Sequence, residues 1–89
     1  MKRFRAVEVT WIDASSSNSW RTIAVHAEED DVPPFLVKSL GWVLRRNSRV
    51  LILAQSVSHN GQAMDVLTIP AGMIKRVRIF PGASCESDA

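Results

Sequence analysis

The sequence holds almost nothing with which to cross-link itself. Cys85 is the single cysteine among 89 residues. No disulfide can form within the chain, so a disulfide-stapled secreted scaffold is excluded and a reducing cytoplasm is the expected location. The two histidines, His26 and His59, have no cysteine or second histidine at ligand spacing, which leaves no zinc motif. Four glycines are scattered along the chain, and none forms a phosphate-cradling loop. No serine sits in a nucleophile elbow. No apolar run approaches the ~18 residues of a membrane-spanning helix. The basic start, Met1-Lys2-Arg3-Phe4-Arg5, is not followed by a signal-type apolar core. A non-enzymatic protein without metal, cofactor or membrane association is therefore the expectation.

What is present is a small amount of charge, unevenly placed. The formal net charge is +2, yet Glu28-Glu29-Asp30-Asp31 holds four of the nine acids, and without them the balance would be +6. The basic residues gather in three places: Lys2-Arg3-Arg5, Arg45-Arg46-Arg49 and Lys75-Arg76-Arg78. Such groups serve either an anionic partner or the plain solvation and guarding of strand edges. A single domain of this size buries only roughly 60–65% of its unfolded surface, and homo-oligomerisation is the usual remedy.

Alternation dominates the chain. Val7, Val9 and Trp11 share one side of residues 6–13, the pattern of a half-buried strand. The turn-forming cluster Ala14–Ser19 ends it. Residues 19–29 read two ways. Trp20, Ile23, Ala24 and Ala27 form a helical stripe that Asn18 or Ser19 would cap, while Ile23, Val25 and Ala27 alternate as a strand does. Pro33-Pro34 breaks whichever forms. A second strand is expected over Phe35–Arg45, with Leu40, Trp42 and Leu44 on one face and Gly41 marking a bulge or bend. Arg46-Asn47-Ser48 is a turn. Val50-Leu51-Ile52-Leu53-Ala54 lies at the centre of the next strand and reads as buried on both sides. Asn60-Gly61 signals a hairpin into Ala63–Ile69. Pro70 stops that strand, Ala71–Ile74 makes one tight turn, and Lys75–Phe80 is the last strand. Residues 81–89 are small and polar, the composition of a disordered tail. The expectation is one mainly β domain over residues 1–80. It is a five-stranded small barrel with the final strand beside the first and a short helix in the long connection between strands one and two.

Gly41-Trp42-Val43-Leu44, the turn at Asn47 and Val50–Ser56 resemble the first motif of Sm-like barrels, and Leu67–Val77 resembles the second. The long first connection is closer to Src-homology-3-type barrels. The resemblance implies a five-strand bent sheet with one helical turn before the last strand. Asn47 replaces the acidic residue of the Sm-like pattern, and Pro70-Ala71-Gly72 replaces its arginine–glycine pair, so the uridine-pocket residues are missing. The layout of Trp11-Ile12-Asp13, Trp20, Gly41-Trp42 and Ile69-Pro70-Ala71-Gly72-Met73-Ile74 also resembles small phage- and prophage-encoded proteins. That resemblance implies an accessory viral protein acting in the host cytoplasm on a host component.

The candidate ligand-binding residues follow from side-chain chemistry. Trp20 beside Arg21 can stack a base or anchor a partner, or else plug the barrel mouth. Trp42 reads as core or as a stacking platform. Arg45, Arg46 and Arg49 flank one turn and can clamp phosphates. Gln55, Ser56 and Ser58 place donors at a barrel rim or subunit joint. The expected function is sequestration of an anionic nucleotide-type ligand or blocking of a host defence protein. The alternatives are an Sm-like RNA-binding ring and a protein–protein adaptor or virion part.

Overall fold

The computed structural model describes residues 1–13, 20, 22–27 and 35–88. The chain is mainly β. Among the described residues the strands are β1 (Lys2–Asp13), β2 (Phe35–Arg46), β3 (Val50–Val57), β4 (Ala63–Pro70) and β5 (Ile74–Ser87), with a short helix, α1 (Ile23–Ala27), between β1 and β2. The tight turn expected before the last strand is a 3-10 turn at Ala71–Met73. The strands form one antiparallel sheet in the order β4-β3-β2-β1-β5, so the final strand lies beside the first. No helix of the described residues is long and apolar enough to cross a membrane.

The period-two pattern of β1 and the apolar run of β3 set the core. Val7, Val9, Leu51, Leu53 and Ile69 are buried together, and Trp11, Val43, Leu67, Ile74 and Val77 pack against them. Val9 faces Val77, and Leu51 faces Ile69, across their ladders. Each such residue contributes about 1.5–3 kcal/mol when fully buried. Trp11 belongs to this layer, with its indole Nε1–H donating to Ser39 Oγ at 3.0 Å.

β2 is shared between two ladders. It pairs with β1 from Phe35 to Trp42 and with β3 from Trp42 to Arg46. Gly41 stands at that hand-over, where a Cβ atom would lie 2.9 Å from the Ala54 carbonyl oxygen and 3.2 Å from Leu53 Cβ. The glycine therefore admits the backbone of β3. The bulge expected there lies further on, where Val43 faces Leu53 but Arg45 faces Ile52.

One expectation is corrected. Residues 81–87 are not a disordered tail. β5 continues through Pro81 to Ser87, and Lys2, Arg3, Phe4 and Arg5 pair with Ser87, Glu86, Cys85 and Ser84. A bulge carries the strand past Pro81-Gly82: Arg5 to Val7 on β1 faces Ser84 to Ile79 on β5, and Gly82 takes φ +80°. The segment is held by tertiary partners. Ser87, fully buried, donates from Oγ to the Ser58 carbonyl at 2.7 Å, and the Asp88 N–H donates to the His59 carbonyl at 2.9 Å.

The barrel expectation is met in its coarser part, one five-stranded antiparallel sheet. β4 and β5 are its two edges, and among the described residues no ladder joins them, so the sheet is not closed. The extra length of β5 goes to β1 and to the β3–β4 turn instead. Lys75, Arg76 and Arg78 guard one edge, and Asp65, at φ +54°, interrupts the other. The radius of gyration is 16.9 Å, with extents of 55 × 23 × 19 Å, against about 12 Å for a compact chain of this length.

Candidate functional site

Local structure at the β2–β3 turn presents the first arginines. Asn47 Oδ1 accepts from the backbone N–H groups of Arg49 at 2.8 Å and Val50 at 2.9 Å, and the Asn47 N–H donates to the Val50 carbonyl at 3.0 Å. An asparagine side chain that replaces a backbone acceptor in this way makes a tight turn. The 3-10 turn is tied to it, the Ala71 N–H donating to the Arg49 carbonyl at 2.8 Å. Arg46 thus leaves the end of β2 from a doubly braced position.

The three basic groups of the sequence meet around Arg46. A groove of about 260 Å³ is lined by Arg3, Arg5 and Arg46 over an apolar floor of Val7, Val43, Val77 and Ile79. A neighbouring groove of about 320 Å³ is lined by Arg46, Asn47, Lys75 and Arg76, with Val50, Ala71, Ile74 and Val77. Arg46 and Val77 belong to both. Among the described residues the only ion pair is Arg3 to Glu86 at 3.0 Å. Arg5, Arg46, Lys75 and Arg76 have no carboxylate partner there. Clustered cations over an apolar, low-dielectric floor create a positive potential that favours an anion.

The expected site residues separate into several places. Trp20 is fully exposed (102% relative exposure), ahead of α1, whose Val25 N–H donates to Thr22 Oγ1 at 3.3 Å. Arg21 lies outside the described residues, as do the caps expected at Asn18 and Ser19. Trp42 and Gln55 come together, lining an apolar groove of about 390 Å³ with Ala6, Leu40 and Phe80. Arg45 and Arg49 are exposed at the turn, and their side chains line neither basic groove. Ser56 is exposed on β3. Ser58 is taken up in its own turn: its hydroxyl accepts from the Gln62 N–H at 2.9 Å and bonds Asn60 Oδ1, and its N–H donates to the Gln62 carbonyl at 2.8 Å. Of the eight candidates among the described residues, Arg46 alone lines the basic grooves. Arg3, Arg5, Lys75 and Arg76 join it. Their charge clustering was visible in the sequence, but their convergence depends on β1 and β5 pairing next to β2.

No family model matches the chain, and comparison with curated proteins and with solved structures finds no match.

Proposed function

We propose that this chain is a non-catalytic binding protein for a phosphate-bearing, nucleotide-type ligand, held where Arg3, Arg5 and Arg46 line one groove. The observation that carries the reading is the junction at Arg46 of all three basic groups of the sequence. Guanidinium groups match phosphate oxygens bidentately, and Val7, Val43, Val77 and Ile79 offer an apolar surface to a sugar or base. The strand order, the long β1–β2 connection and the 3-10 turn before β5 support an Sm-like or Src-homology-3-type small barrel. The resemblance to phage-encoded proteins supplies the role: sequestration of the ligand in the host cytoplasm. The open edges and extended shape favour a homo-oligomer.

Because the two basic grooves share Arg46 and Val77, single-stranded RNA is the second reading. It differs in salt dependence, log K falling by roughly 0.7 per phosphate contacted.

Isothermal titration with nucleoside mono-, di- and triphosphates and a short single-stranded RNA tests both. Arg46→Ala should weaken nucleotide binding by about 10-fold or more, the loss of one charge-assisted hydrogen bond. Arg49→Ala removes the same charge outside the grooves and should bind as the unmodified chain does. If both variants weaken binding equally, only net charge is at work and the site is wrong.

A further inference from the structure

We infer that the ligand carries at least two anionic groups at separate positions, as a dinucleotide does, rather than one cluster of phosphates at one end. This rests on the nucleotide-binding reading above and extends it to the class of ligand. The first groove, at about 260 Å³, is smaller than the roughly 300–1,000 Å³ of ordinary small-molecule sites. The second, at about 320 Å³, stands at the floor of that range. They share Arg46 and Val77 in their lining, and a single ligand lying along both would have room of nucleotide size.

Charge is distributed along the whole path. Arg3 and Arg5 stand in one arm, Lys75 and Arg76 in the other, and Arg46 at the joint. A clustered polyphosphate would satisfy one arm and leave the cations of the other without an anion. Two separated phosphates neutralise both arms, and Arg46 lies between them. Apolar side chains line each arm as well, Val43 and Ile79 in the first and Val50 and Ile74 in the second. Each arm therefore offers an apolar contact beside its cations, which suits a ligand that repeats a nucleoside and a phosphate. Asn47 also lines the second arm, with its Oδ1 occupied by the turn.

The test compares two probes of similar total charge, ADP and the 5′-phosphorylated diadenylate pApA. Both are titrated calorimetrically into the unmodified chain and into Arg5→Ala, Arg76→Ala and Arg46→Ala. Arg5 and Arg76 are exposed, so the fold should persist, and circular dichroism verifies that. The expected result is that pApA binds at least about 10-fold more tightly than ADP, that R5A and R76A each weaken pApA by about 10-fold, and that ADP responds to only one of them. Equal affinity for the two probes, with only one arm's variant mattering, overturns the two-arm ligand while leaving the Arg46 site standing. No binding of either probe, with R46A indistinguishable from the unmodified chain, overturns the inference together with the reading beneath it.

Discussion

Gly41→Ala places a single methyl group where β2 passes from β1 to β3. The new Cβ would stand 2.9 Å from the Ala54 carbonyl oxygen and 3.2 Å from Leu53 Cβ. The closer of these is backbone at the start of the β2–β3 ladder, so it cannot rotate away as a side-chain tip would. Overpacking of this kind costs about 1–3 kcal/mol. Alanine recovers about 0.5–1 kcal/mol by restricting the unfolded chain. The net loss is up to about 2.5 kcal/mol, and about 1.3 kcal/mol at mid-range, out of the roughly 4–13 kcal/mol a domain of this length possesses. At about 4–8 °C per kcal/mol, the mid-range loss lowers Tm by roughly 5–10 °C.

Gly72→Ala is the internal control. Nothing lies within 4 Å of its Cβ position, and its φ is not positive. The same chemical change should there be neutral or stabilising by up to about 1 kcal/mol. Urea and thermal unfolding, followed by tryptophan fluorescence and circular dichroism at one fixed protein concentration, compare the two. Opposite signs support the close approach of β3 to Gly41. If G41A is as stable as G72A, that approach is wrong.

Three further outcomes are expected. Asn47→Ala removes the acceptor of two backbone N–H groups and should cost about 1–2 kcal/mol, whereas Asn47→Asp keeps the acceptor and should stay within about 0.5 kcal/mol, both read by urea unfolding. Ser87→Ala leaves the Ser58 carbonyl without its side-chain donor and should destabilise by about 1–3 kcal/mol; deletion of residues 81–89 should cost more, because it strips Lys2–Arg5 of their partners. Glu86→Gln releases Arg3 from its exposed ion pair, with at most about 1 kcal/mol lost in stability, and should tighten nucleotide binding by calorimetry. Weaker binding by that variant would place Arg3 outside the site.

Much of the strand layout was legible because its signals are local. Alternation in Val7-Glu8-Val9, the apolar run Val50–Ala54 and the turn chemistry of Asn47, Asn60-Gly61 and Pro70 all act within a few residues. Gly41 was visible as an irregularity, but its reason was not, since the Ala54 carbonyl that it admits is thirteen residues away. The end of β5 was invisible for the same cause. Residues 83–87, Ala-Ser-Cys-Glu-Ser, have little strand preference of their own, and the bonds that hold this end come from Lys2–Arg5 at the far end of the sequence and from Ser58 and His59 in its middle. The candidate site followed the same division. Arg46 was chosen from its turn, while Arg3, Arg5, Lys75 and Arg76 reach it only through β1 and β5.

By itself the sequence determined a mainly β chain of five strands, its turns, the composition of its core and the places where positive charge accumulates. Those follow from side-chain periodicity and turn stereochemistry, which neighbouring residues settle among themselves. Tertiary structure decided that the sheet stays open, that β5 runs on to Ser87 and that three separate basic groups share one arginine. These depend on which strands pair and in what register, a choice made by burying Val7, Val9, Leu51, Leu53 and Ile69 together from distant parts of the chain.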